Sequence, residues 1–353
     1  MTIFFEFSVM NKKIKQGILK TIGNTPLVEL SNLFDKTSIN FFAKLESINP
    51  GGSIKDRTAL NMLENAIENG KINKNTTVIE STSGNLGIGL AQVCAYHKLK
   101  FICIVDPKAN IQNINIIKAY GGKVDYVSEP EPQTGEFLQA RLKRAEMLCQ
   151  KNSDVFWINQ YSNVDNPLAH HETMREILEQ LNEQVNYLFC AVSTCGTIRG
   201  CAEYIHKRKL NVQIFAVDVK GSKIFDNEEA IRQFPGMGAG VRTIHCDDEL
   251  INGYILVSEL DCIRYCHHLV AQEGILAGAS SGGVVAAVKA MQNKMKNGST
   301  CVMIFPDRGD RYLNTLYSEE WIKQNFGEDY YKKLLNHNFH ATPAPKIKIF
   351  RTI

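Results

Sequence analysis

"ESTSGNLGIGLA", residues 80–91, joins a β-rich run to a helix-length one through five small residues, Ser81-Thr82-Ser83-Gly84-Asn85. Val78 and Ile79 lead in as a strand, and Gly87 and Gly89 fall where the following helix would pack closely. A strand, a tight loop and a helix in this order make the building unit of an α/β fold. Hydroxyls and successive backbone N–H groups at a helix start also form a seat for a carboxylate or a phosphate. A plain Ser/Thr helix cap is the simpler reading, yet five small, mostly polar residues exceed what a cap requires.

The same alternation extends in both directions. "FFAKLE", "TTVIE", "FICIVD", "VDYV", "VFWIN", "YLFCAV", "QIFAVD", "YILVS" and "CVMIFP" read as strands, separated by segments of helical spacing such as "GEFLQARLKRAEMLCQK". Near-continuous apolar strands between helices imply parallel sheets covered on both faces. With 353 residues the chain can form two domains or one large unit. No repeat or low-complexity linker interrupts it. From Asn336 the period is lost and two prolines appear, so this tail reads as a mobile end or an oligomer contact.

In open α/β sheets ligands bind beyond the carboxyl ends of strands, which directs attention to three more loops. "ESINPGGSIKDRTAL", residues 46–60, places Lys55 between paired glycines and a helix start, with Ser53 or Asp56 as possible caps. A cation at the positive end of a helix dipole has its pKa pushed down, which suits an amine nucleophile able to form a Schiff base. A surface lysine beside a capped helix is the alternative this motif leaves open. "AVSTCGTIRG", residues 191–200, repeats the strand–loop–helix plan with Ser193, Thr194, Cys195, Gly196 and Thr197. It lacks GxxxxGK and GxGxxG, so its donors suit a single phosphate without a metal ion. Cys195 is either a reactive thiol at a helix start or a residue small enough for the loop. "EGILAGASSGGVVAA", residues 273–287, opens a helix with Ser280 and Ser281. An amine, two anion cradles and a hydroxyl match what pyridoxal phosphate needs when it acts on an amino acid.

Composition sets the frame. Hydrophobic residues make up 44% and charged residues 22%, with a formal net charge of +3, an ordinary globular balance that points to neither nucleic acid nor a membrane surface. The apolar run Ile3 to Met10 contains Glu6 and is too short to span a bilayer. No basic segment precedes it, and a cytoplasmic protein is expected. The ten cysteines include no CxxC pair. Cys262, Cys266, His267 and His268 in "DCIRYCHHLV" could meet a metal through i,i+4 spacing, but an amphipathic helix explains them better, and no metal is expected.

"NPGGSIKDR", "ESTSGNLGI", "VSTCGT" and "AGASSGG" resemble, in order, the motifs of the fold-type II pyridoxal-phosphate enzymes of the cysteine synthase group, over roughly residues 17–335. The resemblance implies two three-layer α/β domains with largely parallel sheets, of the tryptophan synthase β-like kind. Residues 17–58 and 165–335 would form a large cofactor-binding domain and 59–164 a small mobile substrate-loop domain. An N-terminal extension, 1–16, and the tail, 336–353, would flank them. It further implies that Lys55 is the Schiff-base lysine and general base, that Asn85 contacts the cofactor's phenolic oxygen, that 193–197 hold its phosphate and that Ser280 faces its ring nitrogen. Ser81, Thr82, Ser83, Gly84 and Gln160 would receive the substrate carboxylate. A homodimer is also implied.

Finer stretches, "AKLESINPGGSIKDR", "IVDPK", "WINQY", "VDVKGS" and "PDRGDRYL", resemble the N-(2-amino-2-carboxyethyl)-L-glutamate synthases of 2,3-diaminopropionate and siderophore formation. That branch implies O-phospho-L-serine and L-glutamate as substrates, with phosphate released. Tyr161 and Ser193 would line a more polar pocket, and Arg242 would help the phosphate leave. Arg308 and Arg311 are expected in structural ion pairs. The competing readings are a cysteine synthase using O-phosphoserine or O-acetylserine, a serine or threonine dehydratase, and a non-catalytic amino-acid sensor.

Overall fold

All nine β-rich runs form strands, because each concentrates β-branched and aromatic residues, most of them buried in the central strands and partly exposed in β5 and β6. The computed structural model describes residues 15–34, 38–226, 228, 232–335 and 344–351. The run Ile3 to Met10, with the rest of the expected N-terminal extension up to residue 14, lies outside the described residues. In chain order the elements are β1 (Leu27–Glu29), β2 (Asn40–Leu45), α1 (Lys55–Glu68), β3 (Thr77–Ser81), α2 (Asn85–His97), β4 (Lys100–Val105), α3 (Ile111–Ala119), β5 (Lys123–Tyr126), α4 (Phe137–Lys151) and β6 (Val155–Trp157). They continue with α5 (Asp165–Gln180), β7 (Tyr187–Ala191), α6 (Gly196–Lys207), β8 (Gln213–Val219), β9 (Gly253–Val257), α7 (Glu259–Glu273), α8 (Ala279–Met291), β10 (Thr300–Phe305), α9 (Glu319–Phe326), α10 (Glu328–Leu335) and β11 (Lys346–Ile349).

The strands form two sheets. One has seven strands in the order β1-β2-β10-β7-β8-β9-β11, antiparallel only at its two edges, and the other has four parallel strands in the order β5-β4-β3-β6. Apolar residues from α7 and α8 cover one face of the larger sheet, and residues from α5 and α6 cover the other. The smaller sheet is covered by α1, α2 and α3 on one side and by α4 on the other. The result is a two-domain α/β fold with three layers in each part.

The strand orders decide where a ligand can sit. In the large sheet the chain advances β7, β8, β9 and then returns to insert β10 beside β7. In the small sheet it advances β3, β4, β5 and then places β6 beside β3. Each reversal splits the following loops apart and opens a crevice. Both crevices line one cavity, through Cys190, Ala191 and Ile304 on the large-sheet side and Thr82, Gln160 and Tyr161 on the small-sheet side.

Two expectations need correction. The tail is not aperiodic throughout: residues 346–349 pair antiparallel with β9, Lys346 opposite Leu256 and Ile349 opposite Gly253. Four residues of alternating Lys and Ile are too short a run to stand out without their partner strand. Secondly, neither Ser53 nor Asp56 caps α1 in the ordinary way; the N-cap position is Ile54. Ser53 Oγ accepts the Lys55 N–H at 3.2 Å, while Asp56 turns back to accept the Gly51 N–H at 2.5 Å. The cysteine–histidine motif is an amphipathic stretch of α7, with Cys262 and Cys266 in the core and His267 Nε2 2.8 Å from the Leu316 carbonyl oxygen.

Candidate functional site

Lys55 is fixed by the turn before it. Gly52 takes a φ of 84°, closed to most side chains, and donates to the Asn49 carbonyl at 2.8 Å. The Ile54 N–H donates to the Pro306 carbonyl at 2.8 Å, and Ser53 bridges to Asp307. The turn is thereby tied to the end of β10, with Lys55 on the cavity wall. Burial lowers the lysine pKa to about 8, opposed by Cys195 and Asp307, so about a tenth of the amine is neutral at pH 7, far more than for an ordinary lysine. Desolvation rather than the helix dipole is the leading cause. The amine has no hydrogen-bond partner among the described residues.

Beneath this lysine lies a buried ionic cluster. Arg57 contacts Glu46 through Nε at 2.7 Å and Glu176 through Nη1 at 2.7 Å, and Lys44 Nζ lies 2.7 Å from Glu176. Thr25 Oγ1 donates to Glu46 at 2.7 Å, and Lys44 also reaches the Thr25 carbonyl and Gln180. Burial raises the Glu176 pKa, but Arg57 and Lys44 outweigh it and pull the carboxyl down to about 2. The cluster joins β2, α1 and α5 around the first turn of the lysine helix. Helix α2 then lies close on α1: a Cβ at Gly89 would sit 2.9 Å from Ala59 Cβ and 3.1 Å from the Lys55 carbonyl oxygen.

The loop after β7 is held from several directions. Thr243 Oγ1 donates to the Thr194 carbonyl at 2.7 Å, Asn166 Nδ2 to Thr194 Oγ1 at 3.3 Å, and Thr197 Oγ1 lies 3.3 Å from His170 Nε2. His170 also faces Thr58 at 3.1 Å, and burial keeps it neutral, its pKa well below the usual value. Cys195 occupies the left-handed region at φ 63° as the N-cap of α6 and supplies no side-chain cap. Its contact with Cys246, together with burial, pushes its thiol pKa up, so it fits the loop as a small residue and not as a thiolate.

Ser193, Thr194, Cys195, Gly196, Thr197, Ser280, Asn85, Thr82, Ser83, Gly84, Gln160 and Tyr161 all line the cavity with Lys55. Two expected residues do not. Ser81 is buried at the end of β3, behind the wall, with its hydroxyl unpartnered; the strand's alternation turns it away from the crevice. Arg242 is also absent from the wall: it donates to the Ile224 carbonyl at 2.7 Å and to Asp248 at 2.8 Å, with its guanidinium over the Phe225 ring. Arg311 forms no ion pair among the described residues; it donates to Asn85 Oδ1 and to the Gly51 carbonyl, joining two of the cavity loops. Arg308 does pair, with Asp310 at 3.4 Å.

The cavity has three features that sequence reading missed. Arg141 of α4 lies on the wall, 8% exposed, its Nε 3.1 Å from Asp106. Its signal was available: it falls at the middle of the Phe137, Arg141, Ala145, Leu148 spacing, where a core residue belongs. Asp307, 2% exposed, accepts from Asn85 Nδ2 and Tyr312 OH at 2.8 Å each and leaves Oδ1 unpartnered. Glu80, fully buried behind Gln160, likewise has one unpartnered oxygen. Neither acid stands out in a sequence where its motif neighbours draw attention first.

Residues 18–307 match the family profile described as pyridoxal-phosphate dependent enzyme. An O-acetyl serine sulfhydrylase (isoform 3) from Entamoeba histolytica is 32% identical, with a TM-score of 0.82 over 95% of this chain and 99% of its own. A hydrogen sulfide-producing enzyme from Fusobacterium nucleatum is 33% identical, TM-score 0.79, over 85% of this chain and 100% of its own. An O-acetylserine dependent cystathionine beta-synthase from Helicobacter pylori is 30% identical, TM-score 0.80, over 86% and 98%. The chain belongs to the pyridoxal-phosphate dependent enzyme family, and its cofactor is pyridoxal 5′-phosphate. The residues present fit that group: an unpartnered amine, a helix N-terminus without a side-chain cap, and the Ser280 hydroxyl share one wall.

Proposed function

We propose that this member of the family catalyses β-replacement on O-phospho-L-serine with L-glutamate as the amine nucleophile, giving N-(2-amino-2-carboxyethyl)-L-glutamate and phosphate, a step in 2,3-diaminopropionate and siderophore formation. The observation that carries this reading is Arg141, a buried guanidinium on the small-sheet wall of the lysine cavity. A buried arginine is matched to a phosphate or a second carboxylate by its forked donors, and an acetyl ester or sulfide would need no such partner. Arg141 takes the role first expected of Arg242, with Tyr161 as a neutral donor beside it.

Bound through Lys55, the cofactor supplies an electron sink for the substrate's α-carbon. The N–H groups and hydroxyls of 193–197 would hold its phosphate, Asn85 would face its phenolic oxygen, and Ser280 would donate to its ring nitrogen. Thr82, Ser83, Gly84 and Gln160 orient the substrate carboxylate. The Lys55 amine would take the substrate's α-proton and return it, a task suited to a group whose pKa burial holds near 8. Residues 59–164 act as the mobile unit closing over 17–58 and 165–335, and the working assembly is a homodimer.

A cysteine synthase is the second reading, favoured by the similarity to structures named for O-acetylserine chemistry. Mass analysis separates the two. O-phospho-L-serine with L-glutamate should give the condensed amine; exclusive formation of cysteine when sulfide is offered, with glutamate untouched, would overturn the first reading. Lys55→Ala should remove the holoenzyme's visible absorption band, and retention of that band would refute the lysine assignment.

A further inference from the structure

We propose that Glu80 is a positioning residue that sets which end of the Gln160 amide faces the cavity, and so admits or refuses the substrate carboxylate. This rests on the reading of Gln160 as a carboxylate receptor given above. Gln160 Nε2 donates to Glu80 Oε1 at 3.3 Å and to the Ser81 carbonyl at 3.4 Å. In that orientation the amide nitrogen is turned to the protein, and Oε1, with no protein donor among the described residues, is the end left for a ligand. An amide oxygen repels a carboxylate. The backbone of Gln160 cannot shift to compensate, since its carbonyl accepts from Asn166 Nδ2 at 2.8 Å and lies 3.3 Å from His245 Nε2.

A half-turn of the amide reverses its ends without displacing heavy atoms. It requires Glu80 to donate, which only the protonated acid can do. With Glu80 as the acid, its O–H meets Gln160 Oε1 and both Nε2 hydrogens are released toward the cavity. The flip gives up the 3.4 Å bond to Ser81 and turns Gln160 Oε1 toward that carbonyl, a cost that the Glu80 O–H bond and the bound carboxylate must outweigh. As the carboxylate, Glu80 instead holds Nε2 and adds its own negative charge behind the site.

Burial favours the acid, raising its pKa to about 8 against the backbone N–H groups of Asn159 and Gln160, the Gln160 amide and the Arg141 guanidinium, which favour the charged form. The Cys103 thiol of β4 and the Tyr161 hydroxyl also face it, and Arg141 is shared with Asp106. By hydrogen-bond geometry Glu80 Oε2 has no partner, the structural side of the same burial cost.

The test is a spectral titration of the holoenzyme with O-phospho-L-serine between pH 6.5 and 9.5, with O-phosphoethanolamine, which lacks the carboxylate, as the second probe. For the wild type the ratio of the two dissociation constants should be flat at low pH and then rise about tenfold per unit above the Glu80 ionisation. With both constants taken from rapid-mixing spectra before phosphate leaves, effects on the cofactor, the lysine and the phosphate enter both probes and divide out. Glu80→Gln, whose amide can still donate, should keep the ratio flat throughout. A wild-type ratio without the alkaline rise, or an unaltered rise in Glu80→Gln, overturns the proposal. Gln160→Ala keeps the two readings apart. If it weakens O-phosphoserine while Glu80→Gln leaves the pH profile unchanged, Gln160 stands and Glu80 falls. If it binds like the wild type, the carboxylate reading itself falls.

Discussion

The cluster beneath Lys55 and the group around Gln160 bury charge in opposite ways. Under the lysine, two cations face two carboxylates at 2.7 Å, and threonine, asparagine and glutamine complete the shell. Behind Gln160, Glu80 keeps one oxygen unpartnered and its side-chain contact is 3.3 Å long. The first arrangement has one low-energy geometry and holds α1 to it. On our proposal the second has two amide orientations, selected by a proton on Glu80. A satisfied buried network specifies position, whereas a partly satisfied one responds to conditions.

Breaking the satisfied cluster should give the largest effect. Arg57→Ala leaves Glu46 and Glu176 buried without their main partner and should cost about 3–5 kcal/mol, read by urea unfolding of the cofactor-free protein. A loss below about 1 kcal/mol would mean the cluster does not hold the lysine helix. Next comes Arg141→Ala, which should lower kcat/KM for O-phosphoserine by about 10- to 100-fold, the scale of a hydrogen bond to a charged group. The loss with O-acetylserine should be smaller; equal losses would remove its role as an anion partner.

Glu80→Gln sharpens the comparison through stability. The folded Glu80 keeps its proton up to about pH 8, whereas its ordinary value is 4.5. Its contribution is fully present below about pH 4.5 and is lost as pH rises toward 8. The variant should therefore gain on the wild type between pH 5 and pH 8 in paired unfolding curves, then level off. No change in their difference would show that Glu80 ionises as an exposed acid does. The smallest effect belongs to Arg242→Ala. Its pair with Asp248 is solvent-exposed, so a change of under about 1 kcal/mol is expected, with KM for O-phosphoserine unaltered.

The strands and the loops that follow them were legible because apolar runs and small polar clusters are local signals. Lys55, Asn85, Ser280 and residues 193–197 sit inside such clusters, and all reach one cavity. Asp307 arrives there by tertiary placement from the end of β10, which no nearby residue announces, whereas Arg141 was signalled only by its place on the apolar face of α4. Arg242 misled because a cation after "GMGAG" looks free until Asp248 and the Ile224 carbonyl are seen beside it. Strand β11 escaped notice for a related reason: an edge strand is defined by its neighbour.

That last strand carries a consequence for the behaviour of the molecule in concentrated solution. Without residues 346–349, the outer row of peptide groups on β9, the "GYILV" strand, would lie bare and ready to recruit another chain. With them in place, the rim is instead "KIKI", whose Lys346 and Lys348 interrupt its apolar residues, with Lys348 reaching over the Tyr254 ring. Cationic side chains on a short rim discourage further strand addition. Residues 346–349 thus cover the edge of β9, and deleting them should cost solubility before it costs catalysis.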